Sequence, residues 1–350
     1  PVTLTVTQQM NLSVAPDTLA FEALTGATSI PTKTIAVTVS TGSLQFTATA
    51  ATTSGGSGWL QVTPASSLTP GTLTVTASAT GLNPGVFTGT VTVAAAGASN
   101  SPRVIQVTLT ITSPVPVVSA VLNAAAGREG ILAAGTIASI YGTALAAETA
   151  VFPQIVSGGL VPTQVGDVRV LFDGVAAPIL YTQAKQVNTV IPWSLFGRTT
   201  VRVEVEYKGN RSAATQIQLY DAAPGIFSID GSGLGQGAIL NQDGSVNSAS
   251  NGAAADSIAS IYATGMGQTE PQGVDGAFPI QILPKPMLPV TVLIGNSEAE
   301  VTYGGAAPYL VSGAMQVNVR IPRGLQPGAY AVTLRIGRFS SQLGVNIVVR

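Results

Sequence analysis

The sequence predicts an all-β protein of tandem immunoglobulin-like β-sandwiches, three in number. Apolar and polar residues alternate with period two along most of the chain, as in Val2-Thr-Leu-Thr-Val-Thr7, Thr72-Leu-Thr-Val-Thr76, Val201-Arg-Val-Glu-Val-Glu-Tyr207 and Val332-Thr-Leu-Arg-Ile336. Each such run puts one face in a core and the other in water, as an antiparallel strand requires. Turn signals punctuate these runs at Asn83-Pro84-Gly85, Asp173-Gly174, Asp243-Gly244 and Pro327-Gly328. Helical periodicity is almost absent, and short strands at such spacing build sandwiches or barrels. The apolar, Ala-rich stretch Val118 to Ala126 is the one place where a short helical turn is expected.

Residues 1–11 read as an extended strand separate from the first sandwich. Val2-Thr-Leu-Thr-Val-Thr7 nearly repeats Val107-Thr-Leu-Thr-Ile-Thr112, about one sandwich length later. It therefore looks like the closing strand of a domain whose remainder is elsewhere. The chain starts at Pro1, without Met and in mid-strand, so a processed or trimmed terminus is expected. Residues 12–113 form the first sandwich and end in a stiff, Pro-spaced linker, Ser113-Pro-Val-Pro-Val117.

Residues 117–230 and 231–350 form the second and third sandwiches, with Gly231-Ser-Gly-Leu-Gly235 as a looser join. These two blocks read as copies. Ile137-Ala-Ser-Ile-Tyr141 recurs as Ile258-Ala-Ser-Ile-Tyr262, and Val121-Leu-Asn123 as Ile239-Leu-Asn241. Gln186-Val-Asn188 with Ile191-Pro192 recurs as Gln316-Val-Asn318 with Ile321-Pro322. Order is kept while the offsets drift, which is the mark of a duplication with loop insertions.

Composition narrows the function. Charged residues make up 9% of the 350-residue chain, against roughly 25% in an average soluble protein. Such a neutral, hydroxyl-rich surface suits a protein that associates or is coated with sugar. The net charge is −1, from 15 basic and 16 acidic residues, with no basic block for nucleic acid. No run is long and apolar enough to span a membrane as a helix. The sequence has no Cys and no His. Ser-His-Asp and Cys-His catalysis are thereby excluded, and zinc sites nearly so. The acids are scattered, so no catalytic, cofactor-binding or metal site is expected, and no enzyme activity.

Residues 12–113 resemble the BACON domains, bacterial immunoglobulin-like modules often appended to secreted carbohydrate-active proteins. The resemblance is carried by Leu12-Ser-Val-Ala-Pro16 with Leu19 and Phe21, by Trp59-Leu-Gln-Val-Thr-Pro-Ala-Ser66, by Pro70-Gly-Thr-Leu-Thr-Val75, and by Gly81-Leu-Asn-Pro-Gly-Val-Phe-Thr-Gly-Thr-Val91. Residues 117–350 resemble the duplicated C-terminal domain of Solibacter-type acidobacterial secreted proteins. The carrying residues include Gly135-Thr-Ile-Ala-Ser-Ile-Tyr-Gly-Thr143, Ala222-Ala-Pro-Gly-Ile-Phe227, Gly235-Gln-Gly-Ala-Ile-Leu-Asn-Gln-Asp-Gly244 and Gln316-Val-Asn-Val-Arg-Ile-Pro322. These resemblances imply an extracellular or bacterial cell-surface location. The first also implies contact with glycans, without a motif that assigns residues.

Two functional readings fit these features. One is a structural subunit of a surface filament, sheath or layer, polymerised head-to-tail with copies of itself. In it Val2, Leu4 and Val6 complete a sandwich in a neighbouring subunit by strand addition. The alternative is a carbohydrate-binding or adhesive module of a larger protein, with polysaccharide as partner. Of the two tryptophans, Trp59 is expected to anchor a core. Trp193, beside a turn, is the expected sugar-stacking platform. Asn241-Gln-Asp-Gly-Ser-Val-Asn247 offers oxygen ligands but reads as a type I′ hairpin turn, and Gln186-Val-Asn188 and its copy read as buried amides tying turns to backbone.

Overall fold

The computed structural model describes residues 9–127, 131–156 and 158–350. Val2, Leu4 and Val6, the residues expected to act as a donor strand, lie outside them. Two compact units, Pro1–Pro114 and Val115–Arg350, divide the chain.

The first unit is a two-sheet sandwich. Its strands are β1 (Leu12–Ala15), β2 (Thr18–Leu24), β3 (Lys33–Val39), β4 (Gln45–Thr52), β5 (Leu60–Thr63), β6 (Ser66–Leu68), β7 (Gly71–Ala77), β8 (Gly85–Ala95) and β9 (Arg103–Thr112). One sheet runs β1-β3-β7-β5 and the other β2-β9-β8-β4-β6. The period-two residues point inward: Ile35 and Val37, Leu73 and Val75, and Ile105, Val107, Leu109 and Ile111 share one core with Phe21, Phe46 and Trp59. Trp59 is buried and its Nε1–H donates to the Ser54 carbonyl at 2.8 Å, so it anchors this core.

The second unit holds two further sandwich cores. In the first repeat, β10 (Val117–Asn123), β11 (Ile137–Thr143), β14 (Ile179–Gln183) and β15 (Gln186–Val190) form a sheet in the order β10-β11-β15-β14. The facing sheet holds β12 (Val168–Phe172), β13 (Val175–Ala176) and β16 (Thr200–Tyr207), with β17 (Asn210–Arg211) and β18 (Thr215–Gln218) both paired to β16. Val121, Ile140, Phe172, Val187 and Val203 fill the space between them.

In the second repeat the strand Ser297–Ala306 pairs with Val290–Ile294 through its first residues and with Ala314–Arg320 through the rest. One long strand thus carries one layer of the sandwich into the other. Ile261, Val317, Val319, Leu334 and Ile347 lie in this core. The repeated motifs occupy equivalent places. Tyr141 faces Gln186 and Ser139 faces Asn188, as Tyr262 faces Gln316 and Ser260 faces Asn318.

Three expectations are corrected. Val118 to Ala126 is not a helical turn throughout: it is strand to Asn123, then a single turn. The Asn123 side-chain Oδ1 accepts from Ala125 N–H and Ala126 N–H there. Alternation along Val117–Asn123 and pairing to β11 outweigh alanine's helix propensity.

Gly231-Ser-Gly-Leu-Gly235 is not a loose join. Asp230 accepts from Ser228 Oγ, Ser232 Oγ and Ser232 N–H, and a Cβ at Gly233 would stand 2.9 Å from the Ala125 carbonyl. The glycines permit tight turns and close approach, not looseness.

Nor is residue 230 a break between units, since the repeats are knit together. Ile137 N–H donates to Thr264 Oγ1, which itself donates to the Gly313 carbonyl. Gln342 joins three segments. Its Nε2 reaches the carbonyls of Ala125, Ile226 and Gly233, and its Oε1 accepts from Ile226 N–H.

Candidate functional site

Aromatic and amide side chains converge on the outer face of the sheet β10-β11-β15-β14. Alternation sends Ala138, Ile140 and Val187 into the core. It leaves Tyr141, Gln186 and Asn188 outside. A register shift between Ile179 and Tyr181 does the rest. Ile179 is buried, and the bulge turns Tyr181 outward opposite Asn188, re-aiming one side chain as bulges do. Beyond β14, Val151 and Thr182 exchange two backbone hydrogen bonds of 2.9 and 3.0 Å. That short rail places Phe152 against Tyr181, ring centroids 5.4 Å apart and planes at 64°. Tyr141 is 39% and Phe152 65% exposed, so both rings present apolar surface to solvent.

The polar groups of this face are held by one another. Gln186 Nε2 donates to Asn188 Oδ1 at 2.9 Å, Tyr181 Oη to Gln183 Oε1 at 2.9 Å, and Gln183 Nε2 to the Glu148 carbonyl at 3.2 Å. Among the described residues, Gln186 Oε1, Asn188 Nδ2 and Tyr141 Oη keep no protein partner. They offer an acceptor, a donor and a hydroxyl on a fixed frame beside the rings. Among the described residues the face itself carries no Asp, Glu, Lys or Arg. The adjoining charges, Lys185 at the tip of the β14–β15 hairpin and Glu148, are opposite in sign.

The second repeat repeats the frame and closes it. Gln316 Nε2 donates to Asn318 Oδ1 at 2.9 Å, and a register shift between Val301 and Tyr303 places Tyr303 opposite Asn318. There, however, Tyr262 packs into the apolar cluster between the repeats. Lys285 Nζ lies 5.9 Å from the centre of the Tyr303 ring, and the Glu300–Arg320 ion pair at 2.8 Å shares the face. The open copy is the one in the first repeat.

Trp193, the expected platform, is corrected. It is 2% exposed and belongs to the core of the second repeat. Its ring lies so close to Gly135 and Gly273 that a Cβ on either would stand 2.3 Å from a ring carbon. Its backbone N–H is held by Asp275 Oδ1. A ring enclosed on both sides stacks no sugar. The nearby turn, which suggested exposure, is instead a short 3₁₀ segment, Trp193–Leu195, that drives the indole inward.

Gln186-Val-Asn188 is also corrected: the two amides are half-buried and bond to each other, not to turns. At Asp243-Gly244 the turn is not type I′, since only Gly244 has positive φ (+81°). Asn241 N–H donates to the Ser245 carbonyl, and Gly244 N–H to the Asn241 carbonyl. That is the three-residue loop with a left-handed glycine. Asp173-Gly174, with φ of 46° and 83°, has the two positive φ values of type I′. Among the described residues no group of three acidic side chains is placed to hold a metal.

No protein-family model and no curated protein matches the chain. Among solved structures it is similar to the SGBP-B protein of the Bacteroides ovatus mixed-linkage glucan utilization locus, solved with a mixed-linkage heptasaccharide. That match has 14% identity and a TM-score of 0.29, over 99% of this chain and 70% of that one. It is also similar to an I-band fragment of titin (10%, TM-score 0.25, 98% of each chain) and to the human desmocollin-1 ectodomain (10%, TM-score 0.21, 97% and 59%). At these identities and scores the likeness assigns the chain no role.

One pointer to this face lies in the sequence and is easily overlooked. Tyr141 ends the duplicated Ile-Ala-Ser-Ile-Tyr motif, and Gln-x-Asn is duplicated with it. Tyr181 and Phe152 carry no such signal, because a bulge and a single isolated bridge position them.

Proposed function

We propose that the chain is a carbohydrate-binding module of a secreted or cell-surface protein, and that it has no catalysis of its own. The observation that carries this reading is the exposed Tyr141–Gln186–Tyr181–Phe152 face. Flat aromatic surface complements the C–H face of a pyranose. Amide groups in reach of hydroxyls fix the orientation of the ring. Two of the four side chains are pre-organised: Tyr181 by the bulge and its bond to Gln183, and Gln186 by its bond to Asn188. Pre-organisation lowers the entropy lost on binding. The lack of His and Cys and the scattering of the acids favour binding over turnover. Electrophoretic retardation in gels containing soluble polysaccharides tests the reading. The intact chain is expected to be retarded and Tyr181→Ala to run at least severalfold less retarded, since an aromatic contact is worth about 1 kcal/mol. Equal mobility with and without every polysaccharide tried would refute it.

A further inference from the structure

The shape of the open face defines the class of glycan it fits. We infer that it takes a neutral, extended chain linked through equatorial oxygens, as in β-1,4-linked gluco-, manno- or xylo-configured polysaccharides, lying across the strands with about one sugar per strand. The inference rests on the carbohydrate-binding reading and specifies its ligand.

The direction comes from what is covered. Along the strands the outer face is short, because Ile137 and Val190 are buried against Ala307 and Ala314 of the second repeat and Ser139 is 5% exposed. Across the strands it is long. Tyr141 on β11, Gln186 on β15, Tyr181 and Gln183 on β14, and Phe152 on the outer rail occupy successive positions. The open strip is therefore perpendicular to the strands.

The linkage comes from the spacing. Neighbouring strands are about 4.8 Å apart, close to the rise of one sugar in a chain joined through equatorial oxygens. Such a chain stays flat enough to meet Tyr141 at one end and the Tyr181–Phe152 pair at the other. An α-1,4-linked chain coils away from a straight strip of this length after one or two residues.

The neutral character comes from the lack of charge on the described face, with Lys185 and Glu148 opposed at its rim. On the face itself, among the described residues, a polyanion meets no cation, and at the rim the charge of Lys185 is offset by that of Glu148. The second repeat, with Lys285 over the Tyr303 ring and the Glu300–Arg320 pair on the same face, shows how a charged version of the same frame is built.

The test is titration calorimetry of the full chain with cello-oligosaccharides of two to six units, malto-oligosaccharides of the same lengths, and oligogalacturonates. Tyr181→Ala and Tyr181→Phe are run in parallel, with circular dichroism to confirm folding. Affinity for the cello series is expected to rise to about four units, one per strand position, and then to level off. It should be unchanged by salt, lost severalfold in Tyr181→Ala and reduced less in Tyr181→Phe, which keeps the ring and gives up only the Oη bond to Gln183. Malto-oligosaccharides or oligogalacturonates bound as tightly as the cello series, with the same loss in Tyr181→Ala, would overturn the inference and leave the carbohydrate-binding reading standing. Binding to no oligosaccharide and no polysaccharide would overturn both.

Discussion

The backbone N–H of Trp193 donates to Oδ1 of Asp275 at 3.0 Å, a bond that reaches from the first repeat of the second unit into the second. The indole points the same way and fills the core of the second repeat between Gly135 and Gly273. The two sandwiches thus share a side chain, and their stabilities are coupled through it.

Gly273 does not have positive φ, so a side chain there is opposed first by the indole and not by backbone strain. Gly273→Ala is expected to destabilise the second unit by about 1–3 kcal/mol through overpacking. Trp193→Ala should cost about 3–5 kcal/mol through loss of the buried ring. Urea denaturation followed by circular dichroism measures both. A Gly273→Ala protein as stable as the parent would show that the ring is not confined between the two glycines.

Burial holds the Asp275 carboxyl above the usual carboxylate range, with the Trp193 N–H pulling the other way. The folded protein therefore binds this proton more tightly than the unfolded chain does. Stability contributed through Asp275 rises as pH falls through the raised value and levels off below the ordinary 3.8. Asp275→Asn keeps an acceptor for Trp193 and removes the charge. It is expected to be more stable than the parent at pH 7 and to lose that advantage on acidification. Denaturation midpoints from pH 3 to 7 check it.

Asp230 has the opposite sign. Hydrogen bonds from Ser232 N–H, Ser232 Oγ and Ser228 Oγ lower its pKa to about 2. The stabilisation is fully present above 3.8, the ordinary value, and is lost as pH falls through about 2. Asp230→Asn should lose stability at pH 7 and show a shallower acid decline between those two values. An unchanged acid limb would contradict the hydrogen-bonded loop.

Gln342→Ala removes a buried amide that serves backbone groups of Ala125, Ile226 and Gly233. Two amide hydrogens and one oxygen make about three good bonds at once, and each buried group left unpaired costs about 1–3 kcal/mol, so the expected loss is about 3 kcal/mol or more. Protection of the Ile226 amide from hydrogen exchange should fall with it. A loss below about 0.5 kcal/mol, the size of an ordinary surface change, would mean that water replaces the side chain.

The strands of this protein are legible in the sequence because alternation is a local property: Ile35 and Val37, or Val201, Val203 and Val205, declare their inward face within a few residues. The duplication is legible because Ile-Ala-Ser-Ile-Tyr and Gln-x-Asn repeat as words. The site is not. A tryptophan next to a proline and near a glycine looks exposed, yet Trp193 is enclosed by residues distant in sequence, Gly135 on one side and Gly273 on the other. Tyr181 faces outward through a bulge, and a period-two reading assigns it to the same face as Ile179. The apparent linker at residues 231–235 is pinned by Ser228, Asp230 and Gln342. Long-range contacts of this kind leave no periodic trace.

Affinity electrophoresis in gels containing a soluble β-1,4-linked glucan derivative tests the glycan-binding face most directly. Four proteins are compared: the parent, Tyr141→Ala/Tyr181→Ala, Trp193→Phe and Phe196→Ala. Phe196 is an exposed aromatic apart from the face, and Trp193→Phe retains an apolar ring at the buried position. Retardation that disappears in the double tyrosine variant and persists in the other two is the predicted result. Retardation that survives the loss of both tyrosines, or no retardation of the parent in any polysaccharide gel, would contradict it.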